Sequence, residues 1–96
     1  MLTSKQRSYL RGLANPMEPI FQVGKGGVAD SVVTAINDAL VARELIKVRV
    51  LKNVDEDIRS IANVLGEKTG ADVVQVIGRN LVLYRRNDEN PVIVMP

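Results

Sequence analysis

The chain has 96 residues, of which 46% are hydrophobic and 25% charged. That is the composition of one globular domain, and it excludes the disordered and fibrous classes. No apolar run exceeds four residues, against roughly twenty for a membrane-crossing helix, and the first ten residues lack the apolar stretch of a secretion signal. With neither Cys nor His, disulfides, the usual zinc and haem ligands and the common nucleophile–base pairs are all removed. A cytoplasmic binding protein that uses no cofactor is expected, rather than an enzyme.

Net charge is only +2, but its distribution is uneven. Residues 1–27 carry a balance of +3, residues 28–78 a balance of −2, and residues 79–96 a balance of +1. Folding that joins the two ends produces a modest basic face, the kind that attracts phosphates.

The first element reads as a helix from about Ser4 to Asn15, with Thr3 and Gln6 spaced as a capping box. Leu10, Leu13 and Ala14 mark its apolar side, and Pro16 stops it. Arg7 and Arg11 are four apart and share a helical face, with no acid before Glu18 to pair with them. A short strand, Pro19 to Val23, runs into Gly24-Lys25-Gly26-Gly27. A second helix follows from about Val28 to Arg43, with Val28, Val32, Ile36, Ala39 and Leu40 as its buried stripe and Gly27 as its cap.

Residues 44–51 alternate, with Ile46, Val48 and Val50 on one side and Lys47 and Arg49 on the other. That is a strand with one covered face and one wet, basic face. Asn53 to Asp57 opens a third helix, its acids suited to a helix N-terminus, and Gly70 ends it. Gly66 is a weak or close-packed point within it. Val73 to Ile77 and Leu81 to Arg85 form a hairpin around Gly78-Arg79-Asn80. The order α-β-α-β-α-β-β predicts a two-layer α/β sandwich with a four-stranded mixed sheet, one face of it partly open. Phe21 reads as core, whereas Tyr9 and Tyr84 are too scattered to form a stacking platform.

The glycine loop is the sharpest motif. It stands between a strand and a helix start, where backbone N–H groups lack partners and the helix dipole favours anions. Glycine admits the close approach of another backbone, and Lys25 adds charge. Neither G-x-G-x-x-G nor G-x-x-x-x-G-K-S/T is satisfied, so the dinucleotide and nucleotide-triphosphate folds are not indicated. The alternative is a plain strand-to-helix turn. Asp55, Glu56 and Asp57 do not form a carboxylate pair, because adjacent helical residues do not face one another.

Taken in order, Tyr9-Leu-Arg-Gly-Leu-Ala14, Phe21-Gln-Val-Gly-Lys-Gly-Gly27, Glu44-Leu-Ile-Lys-Val48 and Val74-Gln-Val-Ile-Gly-Arg79 with Leu83-Tyr-Arg85 resemble the YhbY/CRM domain family. These are small RNA-binding proteins associated with maturation of the large ribosomal subunit. Asn15 stands where relatives often have His, and Val28-Ala29 replaces the commoner Leu-Thr. The resemblance implies a fold similar to the C-terminal domain of translation initiation factor three, with a GxxG loop like that of KH domains. It assigns RNA contact to Gly24, Lys25, Gly26 and Gly27. Arg7, Arg11, Lys47, Arg49 and Arg79 are expected to complete the basic surface.

The expected domain spans residues 1–96, with an apolar tail, 87–96, outside the resemblance. The partner implied is ribosomal RNA or a pre-large-subunit particle bound by a monomer, with contact to a ribosomal protein left open. The alternative is a protein-interaction module that docks through the sheet edge or the tail.

Overall fold

The computed structural model describes residues 2–96. Among these lie α1 (Ser4–Ala14), β1 (Phe21–Val23), α2 (Asp30–Arg43), β2 (Leu45–Val50), α3 (Ile58–Thr69), β3 (Asp72–Ile77) and β4 (Asn80–Tyr84), in the expected order. The sheet order is β1-β2-β4-β3; β1 runs parallel to β2, and the other pairs are antiparallel. It is an α/β fold on a mixed sheet.

Alternation along β2 decides what each face buries. Ile46, Val48 and Val50 join Val23, Leu81 and Leu83 beneath Ile36 and Leu40 of α2 and Ile61, Ala62 and Leu65 of α3. The opposite face carries Leu45, Val74, Val82 and Tyr84, and α1 covers these with Leu10 and Ala14. The three helices therefore divide between the faces, α2 and α3 on one and α1 on the other, so the face expected to stay partly open is covered over Leu45, Val82 and Tyr84 because these residues need burial too. Leu81 to Tyr84 are all buried, as a strand covered on both faces requires. Tyr84 is thus a core residue. Phe21 packs half-buried at the edge of the larger cluster, and Leu13 remains 38% exposed.

Local chemistry sets most element ends, with three differences from expectation. The Thr3–Gln6 capping box forms in both directions. However, α2 starts at Asp30 with Ala29 as its cap, because Gly27 takes φ +64° and turns the chain instead. Asp57 caps α3 by accepting from the Ser60 N–H, which leaves Asp55 and Glu56 in the preceding connection rather than in the first turn. The hairpin has a two-residue turn, Gly78-Arg79, because Ile77 already pairs with Asn80. Gly78 sits at φ +58°, the sign that tight hairpins need at their first central position. Gly66 is a close-packing site: a Cβ there would lie 2.9 Å from the Ala71 carbonyl oxygen.

The C-terminal tail folds back onto the chain. Glu44, fully buried and at φ +64°, accepts hydrogen bonds from the backbone N–H groups of Asn87 (2.7 Å), Val92 (2.7 Å) and Ile93 (2.6 Å). Beyond this anchor, Ile93 and Met95 pack at the margin of the α1 cluster.

Candidate nucleic-acid interface

The glycine loop leaves β1 at the end of the sheet where the hairpin turn also lies. Gly27 donates to the Gly24 carbonyl at 2.9 Å and closes the turn. Lys25 and Gly26 are exposed, and a Cβ on Gly26 would meet nothing within 4 Å. Gly26 has no positive φ; Gly27 alone holds that conformation in the loop. Room for an approaching backbone and the turning of the chain thus fall to different glycines.

Directly after the loop, Val28, Asp30 and Ser31 have backbone N–H groups with no acceptor among the described residues. Ala29 supplies no capping side chain, so the start of α2 presents free donors and the positive end of the helix dipole together. An anion brought there meets matching chemistry. The opposing charges are Asp30 in the first turn of α2 and Glu56, whose Oε1 would lie 3.2 Å from a Cβ on Gly27.

Lys47 and Arg49 lie on the face of β2 that α1 covers only in part. Lys47 donates to the Asn15 carbonyl at the end of α1, at 3.4 Å. Arg49 is exposed, and its side chain has no hydrogen bond or ion pair among the described residues. It lies one residue before Val50, which pairs with Val23 at the mouth of the loop. Arg11 is exposed in the last turn of α1. Lys25, Arg49 and Lys47 therefore follow one another from the loop toward the end of α1.

The structure gives the other two expected cations prior partners. Arg7 donates to the carbonyls of Val73 (2.6 Å) and Val74 (3.0 Å), where β3 is irregular in its pairing with β4. Those carbonyls belong to the sheet edge farthest from β1, so Arg7 is not brought beside the loop. Arg79 does lie at the loop end, but its guanidinium donates to the Val50 carbonyl at 2.9 Å and to that of Leu51. Both arginines brace backbone, a role that their sequence positions did not signal. Among the described residues no group of His, Cys, Asp or Glu is arranged to hold a metal, and no helix is long and apolar enough to cross a membrane.

Comparison with known proteins identifies the family and the fold. The model of the CRS1/YhbY (CRM) domain matches residues 2–85. The chain is 49% identical to "Probable RNA-binding protein YqeI" of Bacillus subtilis, with all of both chains covered. It is 40% identical to an "RNA-binding protein" of Haemophilus influenzae, covering 92% of this chain and 89% of the other. The solution structure of SAV1595 from Staphylococcus aureus superposes with a TM-score of 0.84 over 100% of both chains, at 49% identity. The tail after Arg86 lies outside the matched segment. With the motifs in order, the same sheet and a family match along nearly the whole chain, this protein belongs to the CRS1/YhbY (CRM) family and is an RNA-binding domain.

Proposed function

We propose that the domain binds structured ribosomal RNA and assists assembly of the large ribosomal subunit as a non-catalytic, cytoplasmic monomer. The glycine loop holds the sugar–phosphate backbone: Gly26 provides room, Lys25 provides charge, and the free N–H groups of Val28, Asp30 and Ser31 donate to the phosphate oxygens. Arg11, Lys47 and Arg49 extend the attraction along the α1 face. Arg7 and Arg79 add to the field while they hold the sheet. The observation that carries this reading is the set of unpaired donors beside an open glycine, in a domain of an RNA-binding family. Structured RNA is favoured over a linear strand because, among the described residues, Tyr9 is the only aromatic residue with large exposure, too little for a stacking surface. The docking alternative retains only part of the tail, since Ile93 and Met95 pack against the chain's own core while Val92 and Val94 stay exposed.

Lys25→Ala and Gly26→Asp test the loop. Gly26 is exposed and free of positive φ, so both variants are expected to keep the parent's circular dichroism and unfolding midpoint. Each should lose affinity for large-subunit ribosomal RNA and cosediment less with immature large-subunit particles, and Lys25→Ala should also flatten the salt dependence. Two folded variants that bind as tightly as the parent would reduce the loop to a turn.

A further inference from the structure

Across the open end of the sheet face that carries α1, three polar side chains fall in register. Gln22 of β1 pairs with Arg49 of β2, and Arg49 pairs with Asn80 of β4. Register partners project to the same side of a sheet, with Cβ atoms roughly 5 Å apart. None of the three belongs to the apolar cluster under α1, which is built on Leu45, Val82 and Tyr84 farther along the strands. Gln22 and Arg49 are exposed, and the row ends beside the glycine loop, which begins two residues after Gln22.

Asn80 is the unusual member. Its Oδ1 is shielded from solvent and accepts no hydrogen bond, the one buried side-chain polar atom among the described residues left in that state. Buried oxygens in folded proteins nearly always have a donor, so this position calls for a donor that the chain does not supply. A phosphate cannot provide one. A ribose 2′-hydroxyl or an exocyclic amino group can, and the soft χ2 torsion of Asn lets the amide turn to meet it. Gln22 offers a second amide with both a donor and an acceptor, and Arg49 between them has a guanidinium with no protein partner.

We propose that Gln22, Arg49 and Asn80 form a sheet-face strip that receives the nucleotide adjoining the phosphate held at the glycine loop. Arg49 takes its backbone, and the two amides take the 2′-hydroxyl and the base edge. This rests on the loop reading above and deepens it, because it makes the domain selective for RNA over DNA of the same sequence. The loop and its lysine meet only phosphate, which both polymers share, as they share base edges; the 2′-hydroxyl is the group that DNA lacks, so the selectivity rests on the amide that meets it.

The test uses a labelled stem–loop of large-subunit ribosomal RNA sequence and its 2′-deoxy counterpart, titrated against the full chain at two salt concentrations. The parent is expected to bind the RNA probe more tightly. Asn80→Ala and Gln22→Ala should each weaken RNA binding by about three- to tenfold, the loss of one neutral hydrogen bond. For the amide that meets the 2′-hydroxyl, DNA binding should stay within twofold, whereas loss of the amide at a base edge should weaken both probes; the salt slope should be unchanged in both. Lys25→Ala should weaken both probes and lower the slope. Because Asn80 opens a strand, unfolding midpoints are compared first; Gln22, exposed on an edge strand, provides the second reading if Asn80→Ala is unstable. If both amide variants bind RNA like the parent while Lys25→Ala is impaired, the strip is refuted and the loop stands. Equal losses on RNA and DNA in both variants refute the contact to ribose and with it the selectivity. If Lys25→Ala is also unimpaired, the loop reading fails with it.

Discussion

Glu44→Gln puts the connection between the tail and the core to a quantitative test. In the parent, Oε1 accepts from the N–H groups of Val92 and Ile93, and Oε2 accepts from that of Asn87. Glutamine keeps the shape but presents an NH2 group where one oxygen stood, so at least one backbone donor loses its acceptor. An unmade buried bond costs about 1–3 kcal/mol, and the surviving bonds lose the charge assistance that roughly doubles their strength. The expected total is about 2–4 kcal/mol. It is capped by what docking the tail is worth, since residues 87–96 can swing into water instead.

The pH dependence follows from the same geometry. Burial pushes the Glu44 carboxyl upward, but the three backbone donors together with nearby Arg86 outweigh it and hold the group below its ordinary 4.5. A lowered folded value means that the stabilisation is fully present above the unfolded value and is lost as pH falls through the folded one. Urea unfolding from pH 7 down to pH 3 should therefore show an acid-side loss in the parent that is smaller in Glu44→Gln. Hydrogen exchange at Asn87, Val92 and Ile93 should lose its protection in the variant. A variant within 0.5 kcal/mol of the parent at pH 7, with those amides still protected, would refute the reasoning.

Two further perturbations test how the layers are held. Arg7→Ala should destabilise by about 2–3 kcal/mol, since it removes charge-assisted bonds to the Val73 and Val74 carbonyls; denaturant unfolding measures this, and the loss of RNA affinity per folded molecule should be smaller than for Lys25→Ala. Gly66→Ala sets a helix-propensity gain of about 1 kcal/mol against a Cβ placed 2.9 Å from the Ala71 carbonyl oxygen. Overpacking against backbone costs about 1–3 kcal/mol, so a net loss is expected, read as a lower unfolding midpoint.

The distribution of charge explains why a net +2 is compatible with binding a polyanion. Folding brings the second half of β2 and the glycine loop to one end of the sheet, and Lys47 of β2 reaches the Asn15 carbonyl at the end of α1. Arg85 turns the other way and donates to Asn37 and to the Thr69 carbonyl, and Arg86 pairs with Asp88 at 3.0 Å. Arg11 of α1, Lys25 of the glycine loop and Arg49 of β2 are exposed and have no such partners among the described residues, which is why they are the cations proposed to meet phosphate.

Short-range chemistry made much of this protein legible from the chain alone. The capping box of Thr3 and Gln6, the stop at Gly70, the alternation of Ile46, Val48 and Val50 and the placement of Gly24–Gly27 before a helix all depend on residues within a few positions of one another. Such interactions are encoded by spacing. The family resemblance draws on the same local motifs. Which face receives α1 is a different kind of question. Two faces of the sheet carry apolar residues, and only the competition between Leu45, Val82 and Tyr84 on one side and the α2–α3 cluster on the other settles it. The partners of Arg7 and Arg79 lie 66 and 29 residues away along the chain, and Glu44 reaches across 43 to 49 residues to fasten the tail. A cation that braces a carbonyl and one that waits for phosphate have the same side chain. Their roles separate only when folding brings an unpaired carbonyl within reach of one and leaves the other facing water.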